Sequence, residues 1–228
     1  MRISEIFCSI QGEGRLVGTP SLFIRTSGCN LRCVWCDTPY TSWRPEGSQW
    51  PLAKILRRVE KHAGRYIVIT GGEPMVSREI GELTSALKQR GKHITIETAG
   101  TLFQPVCCDL ISLSPKLAHA TPWKREEGRY AAAHEARRLN FPVLQKYIDS
   151  HDYQIKFVVD KAEDFEEIGG ILCRLANVDR RRVLIMAQAT TRRELSAKAP
   201  WIVERCLAYD YCYTPRLHIE LFGNRRGT

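Results

Sequence analysis

The stretch Gly28-Cys29-Asn30-Leu31-Arg32-Cys33-Val34-Trp35-Cys36-Asp37-Thr38 places three cysteines within eight residues. Three thiolates in C-x3-C-x2-C spacing can hold three corners of a four-iron cluster and leave the fourth iron without a protein ligand. Structural metal sites usually close with four ligands, whereas an open position lets a substrate or cofactor bind the metal directly. Two other readings of the same residues stay open at this level. One is a zinc site completed by His62 or a distant cysteine, although zinc motifs usually come as two separated pairs and no second pair exists here. The other is a set of reduced structural thiols. The cysteines number nine, an odd count, and Met1–Gly14 holds no secretory apolar segment, which argues against disulfides.

Working outward from this loop, Ser21–Thr26 is predicted as a strand that leads into it. Leu52–His62 carries Leu52, Ile55, Leu56 and Val59 at helical spacing. Tyr66–Thr70 reads as a buried strand ended by Gly71-Gly72, and Glu79–Arg90 as a helix closed by Gly91. His93–Glu97 and Leu110–Leu113 are further strands. Lys116–Asn140 reads as irregular, with a helical stretch at Ala131–Leu139. Then come a strand at Tyr153–Val159, a helix at Lys161–Leu175, a strand at Val183–Met186, a helix at Thr191–Tyr209 and a last strand at His218–Phe222.

The strands read as continuously apolar, which is the pattern of a parallel sheet buried on both faces. The expected fold is therefore α/β, an incomplete TIM-type barrel of about six parallel strands, because a full eight-fold barrel typically needs ~250 residues. A single domain over residues 1–228 is expected. Chemistry in such sheets lies at the carboxyl ends of the strands. The cysteine loop, Thr70-Gly71-Gly72-Glu73-Pro74, Glu97-Thr98-Ala99-Gly100 and Ser114-Pro115-Lys116 all follow strands and should meet on one rim.

Composition sets the class. Hydrophobic residues make up 43% and charged residues 26% of the chain, as in a soluble globular protein. No apolar run approaches the roughly 20 residues that span a bilayer, and a cytoplasmic location is expected. The net charge of +9 raises the question of nucleic acid. The arginine pairs and triplets are scattered, however, and no nucleic-acid motif accompanies them, so solvated surface and an anion-binding site account for the charge.

Individual residues add detail. Gly71 and Gly72 let the backbone approach a ligand closely; an ordinary turn is the alternative. Gln11-Gly12-Glu13-Gly14 offers an amide, a carboxylate and glycines suited to a guanidine-like edge, or else makes a glycine turn. Arg25 interrupts an apolar strand and needs an anion, either a ligand carboxylate or a protein acid. Asp37 and Thr38 carry hard oxygens suited to magnesium, or cap a turn. Trp35 either covers the cluster or an adenine ring, or simply packs. Ser114, Pro115 and Lys116 place a hydroxyl and a cation at a strand end, and Gln188 offers an amide at another. His218 either contacts a substrate or, the plainer reading, is a satisfied structural histidine. Cys8, Cys173, Cys206 and Cys212 read as buried small apolar residues, while Cys107 and Cys108 suggest no role.

Taken together, Glu5-Ile6-Phe7-x-Ser9-Ile10-Gln11-Gly12-Glu13-Gly14, Arg25, the cysteine motif with Asp37-Thr38, Thr70-Gly71-Gly72-Glu73-Pro74, Glu97-Thr98-x-Gly100 and Ser114-Pro115-Lys116 resemble the 7-carboxy-7-deazaguanine synthase family of the radical S-adenosylmethionine (SAM) superfamily. The match is specific in the first 120 residues and loose beyond Lys116; Phe222–Thr228 matches no role. The resemblance implies a lyase that turns 6-carboxy-5,6,7,8-tetrahydropterin into 7-carboxy-7-deazaguanine and ammonia, on the route to queuosine-type 7-deazapurines. It implies that Cys29, Cys33 and Cys36 ligate a [4Fe–4S] cluster and that Trp35, Cys36, Asp37, Gly72, Ser114, Pro115 and Lys116 bind SAM; the Gln188 amide, read from its place after a strand, is expected to bond the same cofactor. Ile10, Gln11, Gly12, Arg25 and Thr70 are then substrate residues and Thr38 a Mg²⁺ ligand. It further implies a homodimer supplied by an electron donor such as a flavodoxin, with neither nucleic acid nor membrane as partner. Two other classes are a radical SAM activase acting on a partner protein and a non-catalytic zinc-binding module.

Overall fold

Strands β1 (Arg2–Ile10) and β2 (Pro20–Thr26) form an antiparallel pair, and the two-residue β3 (Ser48–Gln49) pairs antiparallel with the outer side of β1. From β2 onward every pairing is parallel, through β4 (Tyr66–Gly71), β5 (His93–Thr98), β6 (Leu110–Leu113), β7 (Tyr153–Val159), β8 (Val183–Ala187) and β9 (Cys212–Tyr213). This computed structural model describes residues 1–228 and contains one nine-stranded sheet. The six longer parallel strands are those expected from the sequence. The helices are α1 (Pro39–Ser42), α2 (Leu52–Glu60), α3 (Ile80–Gln89), α4 (Ala131–Glu135), α5 (Phe141–Ser150), α6 (Asp164–Leu172), α7 (Arg192–Tyr209) and α8 (Leu217–Phe222). None is long and apolar enough to cross a membrane.

The sheet is curled rather than flat. β1 and β9 do not pair, yet the turn after β1 reaches the segment after β9. The Gly14 N–H donates to Thr214 Oγ1 (2.7 Å), and the Leu217 N–H donates to Gly12 O (2.9 Å). The Arg15 N–H meanwhile donates to Gln154 Oε1 on β7 (2.9 Å). Such contacts across the interior are what an incomplete barrel requires.

The two faces of this barrel differ chemically, and here the expectation of continuously apolar strands needs correction. The outward residues Ile24, Ile67, Ile69, Ile94, Ile96, Ile111, Leu113, Ile155, Phe157 and Ile185 join the main core with Ile55, Val59, Leu83, Leu87, Phe165 and Ile168 from the helices. Each such fully buried side chain contributes about 1.5–3 kcal/mol relative to exposure. The alternating inward residues include Arg25, Thr70, Glu97, Ser112 and Lys156, which line a cavity. Every residue of β7 is buried, including Gln154 and Lys156. Burial on both faces was readable from the sequence; that one face is polar follows from the ligand space it encloses.

Other differences are local. Leu217–Phe222 is helix α8 rather than a strand. Its alternation fits both periods over so short a run, and docking on the Gly12 turn fixes the helical form. Helix α5 lies beyond the stretch read as irregular, capped by the Asn140 side chain, which accepts from the Val143 N–H (3.4 Å). Cys206 is buried, but Cys8, Cys173 and Cys212 are exposed. Cys8 lies on β1 beyond its pairing with β3, Cys212 on the two-residue edge strand β9 and Cys173 just past the end of α6, so apolar character alone misplaces them.

The element that positions the cysteines is the turn after β4. Gly72 approaches the loop so closely that an added Cβ would lie 2.2 Å from Gly28 O and 2.8 Å from Thr41 O. The Glu73 N–H donates to Gly28 O (2.9 Å), and the Gly28 N–H donates to Thr41 O (2.9 Å). Gly72→Ala should therefore displace the cysteine loop and lower stability by about 1–3 kcal/mol, the range for overpacking. Gly169→Ala, in α6 where a Cβ meets nothing within 4 Å, should be neutral or stabilising. Thermal unfolding of the two variants checks this; a Gly72→Ala protein as stable as the parent would refute the clasp.

Candidate active site

Between Ser27 and Thr38 the chain has almost no regular structure, so its shape comes from side chains that fasten it. The Trp43 Nε1–H donates to Cys33 O (2.9 Å), and the Arg32 N–H donates to Nδ1 of the buried His134 (3.1 Å). Asn30 Nδ2 donates to Thr101 Oγ1 (3.0 Å), which ties the loop to the turn after β5. The Trp35 Nε1–H donates to His119 Nδ1 (3.1 Å), with the two rings stacked at 5.7 Å.

Glu73 anchors the neighbouring turns. It is 1% exposed and accepts from Thr98 Oγ1 (2.7 Å), the Ala99 N–H (2.8 Å) and the Met75 N–H (3.1 Å). Burial raises its pKa, and these three donors oppose the rise. One carboxylate thus joins the turns after β4 and β5, which explains the acid in Gly71-Gly72-Glu73-Pro74 without a ligand contact.

A cavity of about 540 Å³ lies at the carboxyl ends of the parallel strands. Cys29, Cys33 and Cys36 line it, as do Trp35, Asp37, Thr38, Gly72, Ser114 and Lys116. Ile10, Gln11, Gly12, Arg25 and Thr70 share the same space. Pro115 and Gln188 are not brought to it. The Gln188 backbone instead closes the end of β8, its N–H donating to Val159 O (2.8 Å) and its carbonyl accepting from Lys198 Nζ (2.6 Å).

The three thiols fit a four-iron cluster with an open position. All are free, and Leu31 and Ala120 pack beside them. Burial pushes the Cys29 thiol up to about 12, with Glu73 adding to the rise, and burial likewise pushes Cys33 up to about 12. Thiolates here are costly without a cationic partner, which an iron cluster supplies. The Leu31 N–H points to Cys29 Sγ (3.4 Å), and Ser42 Oγ lies 3.2 Å from Cys36 Sγ, so local donors already face the sulfurs. No group of three or more His, Cys, Asp or Glu side chains is arranged to hold a single metal ion. His62, the candidate fourth zinc ligand, lies elsewhere and meets Cys8 Sγ at 3.4 Å through Nδ1.

A charge network lines the same cavity. Glu13 is paired with Lys156 and with Arg216 Nε (3.3 Å), and His218 Nε2 lies 3.9 Å away. Burial alone would raise the pKa of Glu13, but Lys156, Arg216 and His218 outweigh it and hold the carboxyl below the usual range. Arg216, 4% exposed, also bonds Asp37 Oδ2 (2.5 Å) and so couples the cysteine loop to the first turn. Glu97 accepts from Gln11 Nε2 (3.1 Å) and Thr70 Oγ1 (2.7 Å). Arg25 lines the cavity, but its Nε donates to Glu5 (2.6 Å), so a protein acid does partner it. Its terminal nitrogens make no protein hydrogen bond, which leaves them for a ligand.

The sequence reading passed over Lys156 and Arg216 and set a structural role for His218 above a substrate contact, whereas His218 lines the cavity. Lys156 carried the same signal as Arg25, a charge inside an apolar strand. Arg216 carried none, because the two acids it pairs with, Asp37 and Glu13, are nearly 180 residues away or more. The tail also contributes: Asn224, Arg225, Arg226 and Thr228 line the cavity mouth, where Arg226 pairs with Glu46 (2.8 Å) and Glu5 (3.3 Å).

Residues 23–148 match the family model described as the Radical SAM superfamily. The chain is 45% identical over 227 residues to the 7-carboxy-7-deazaguanine synthase of Rhodopirellula baltica, covering 99% of this chain and 88% of that one. It is 40% identical over 233 residues to the enzyme of the same name from Halobacterium salinarum, covering 97% and 90% of the two chains. The crystal structure of QueE from Escherichia coli superposes with a TM-score of 0.71 at 25% identity, over 95% of this chain and 94% of that one. On the strength of these likenesses and of a thiol-lined cavity at the strand ends, the chain belongs to the 7-carboxy-7-deazaguanine synthase family of radical SAM enzymes.

Proposed function

We propose that this protein converts 6-carboxy-5,6,7,8-tetrahydropterin to 7-carboxy-7-deazaguanine with release of ammonia, in queuosine-type 7-deazapurine biosynthesis. The observation that carries the proposal is that one cavity is lined both by the three cysteines and by Gln11, Glu13, Glu97 and Thr70. Cys29, Cys33 and Cys36 would hold the [4Fe–4S] cluster, and Trp35, Asp37, Gly72, Ser114 and Lys116 would surround SAM. When bound, the cluster and SAM supply the one-electron reduction and hydrogen abstraction that no side chain here can perform. The chain contributes position and exclusion of water. Gln11 and Glu13 face the amine-bearing edge of the pterin, and Arg25 its carboxylate. The Lys116 ammonium, bonded to Ser114 Oγ (2.8 Å) and 5.9 Å from the Trp35 ring centroid, suits the carboxylate of SAM.

Residues 1–228 form one radical SAM domain in this reading, cytoplasmic and homodimeric. The apolar side chains Val203 and Leu207 on α7 and Leu221 and Phe222 on α8 are exposed, which supports a partner copy. An electron donor such as a flavodoxin would approach where the cysteine loop reaches the surface at exposed Val34. A Mg²⁺ ion would sit on Thr38 Oγ1, a hard donor on the cavity wall beside Thr41 Oγ1 (3.0 Å). Mg²⁺ commonly takes few protein ligands and completes its shell with substrate oxygens and water.

Anaerobic incubation of the reconstituted protein with SAM, a reductant and the carboxypterin should yield the deazaguanine, whereas Cys33→Ala should form neither product nor 5′-deoxyadenosine and Cys173→Ala should match the parent. A parent that consumes SAM without converting the pterin would overturn the substrate. Thr38→Ala should keep its iron and lose most of the stimulation by Mg²⁺; activity that still rises with magnesium as in the parent removes Thr38 from the metal. Arg25→Ala should weaken pterin binding about 10- to 150-fold, the equivalent of charge-assisted hydrogen bonds of roughly 1.5–3 kcal/mol. Arg25→Lys should recover part of this, because it keeps the charge but not the fork. Separate dissociation constants for pterin and SAM decide the matter, since equal losses for both would assign Arg25 to the Glu5 pair alone.

A further inference from the structure

Lys156 is the only charged residue of β7, and it is 5% exposed. Its ammonium bonds Glu13 Oε2 and has no other protein acceptor. An ammonium carries three donors, and buried donors left unmet are expensive. Two N–H groups are therefore available to the cavity that Lys156 lines. A neutral lysine would relieve the cost, but the environment opposes that: burial lowers the pKa, while Glu13 and Glu97 outweigh burial and hold it above the ordinary value.

The pair presents a pattern. Glu13 offers two carboxylate oxygens as acceptors, one supported by Lys156 and the other by Arg216. Lys156 offers donors immediately beside them. Acceptor, acceptor, donor is the complement of a 2-amino-4-oxopyrimidine edge, which shows two N–H donors followed by a carbonyl. A 2,4-diamino ring shows a donor in place of that carbonyl and would meet the ammonium donor to donor.

We infer that Lys156 is a specificity-determining substrate residue: acting with Glu13, it donates to the 4-oxo group of the bound pterin and rejects rings that carry an amino group there. This rests on the pterin reading given above. A site built to hydrogen-bond a group discriminates strongly against an analogue that lacks it, because its buried polar atoms are then left unpaired. Lys156→Met removes the donor and leaves Glu13 to Arg216, while Lys156→Arg keeps a cationic donor.

The test uses the reconstituted protein with SAM and two ligands that differ only at position 4: 6-carboxypterin and 2,4-diaminopteridine-6-carboxylic acid. The parent should bind the oxo compound on the order of 10- to 150-fold more tightly, the span expected for hydrogen bonds to a charged group. In Lys156→Met the ratio should fall to near unity, chiefly through lost affinity for the oxo compound, with SAM affinity unchanged; Lys156→Arg should restore part of the ratio. The parent comparison needs no variant, so it stands even if Lys156→Met fails to fold. A parent that binds both compounds equally, or a Lys156→Met protein that keeps the parent ratio, overturns the role of Lys156 and leaves the pterin reading intact. A parent that binds SAM but neither carboxypteridine overturns both.

Discussion

The site depends on the way one irregular loop is fastened to the turn of the next strand. Gly28 is held on both sides, its carbonyl by the Glu73 N–H and its own N–H by Thr41 O, and Gly72 leaves no room for a side chain between them. The loop that presents the three thiols is neither helix nor strand. Its backbone groups must then find partners elsewhere. They find them in Trp43, His134, Ala120 and the glycine turn. The residues around the motif thus serve the geometry of the three sulfurs, and the buried Glu73 carboxylate ties that geometry to the turn after β5.

The second constraint is the curl of the sheet. An apolar outer face packs against helices while the inner face keeps Arg25, Thr70, Glu97, Ser112 and Lys156. Polar groups inside a barrel are tolerable only when each finds a partner. Here the partners are arranged in chains: Gln11 and Thr70 on Glu97, Lys156 and Arg216 on Glu13, Arg216 again on Asp37. Arg216 binds the first turn and the cysteine loop at once, so these two parts of the cavity wall are joined through a residue more than 170 positions further along the chain. Removing it would leave Asp37 without its guanidinium and the buried Glu13 with Lys156 alone, a larger penalty than the loss of an exposed ion pair.

Much of this was legible in the sequence. The strand and helix alternation, the cysteine spacing and the turns that follow β4, β5 and β6 could be placed because each depends on local pattern or on residues close in the chain. The inner face of β7 was harder to place. Lys156 sits in Tyr-Gln-Ile-Lys-Phe-Val-Val, where overall apolarity conceals the alternation, and only the curl of the sheet shows that Lys156 and Val158 face a ligand space. Arg216 and α8 were illegible for a different reason. Six residues fit two periods, and what selects the helix is a hydrogen bond to Gly12 at the opposite end of the chain. The tail, which matched no motif, lines the cavity mouth through ion pairs of Arg226 with Glu5 and Glu46. Such long-range pairings leave no spacing to read.

In the proposed reading three cysteines hold a four-iron cluster whose remaining iron is open to SAM. Electron paramagnetic resonance of the reduced, anaerobically reconstituted protein tests it directly when recorded before and after addition of SAM. The account predicts a cluster signal at four irons per chain whose g-values shift when SAM binds the open iron. A spectrum unchanged by SAM, or a protein that takes up zinc in place of iron and gives no cluster signal, would contradict it.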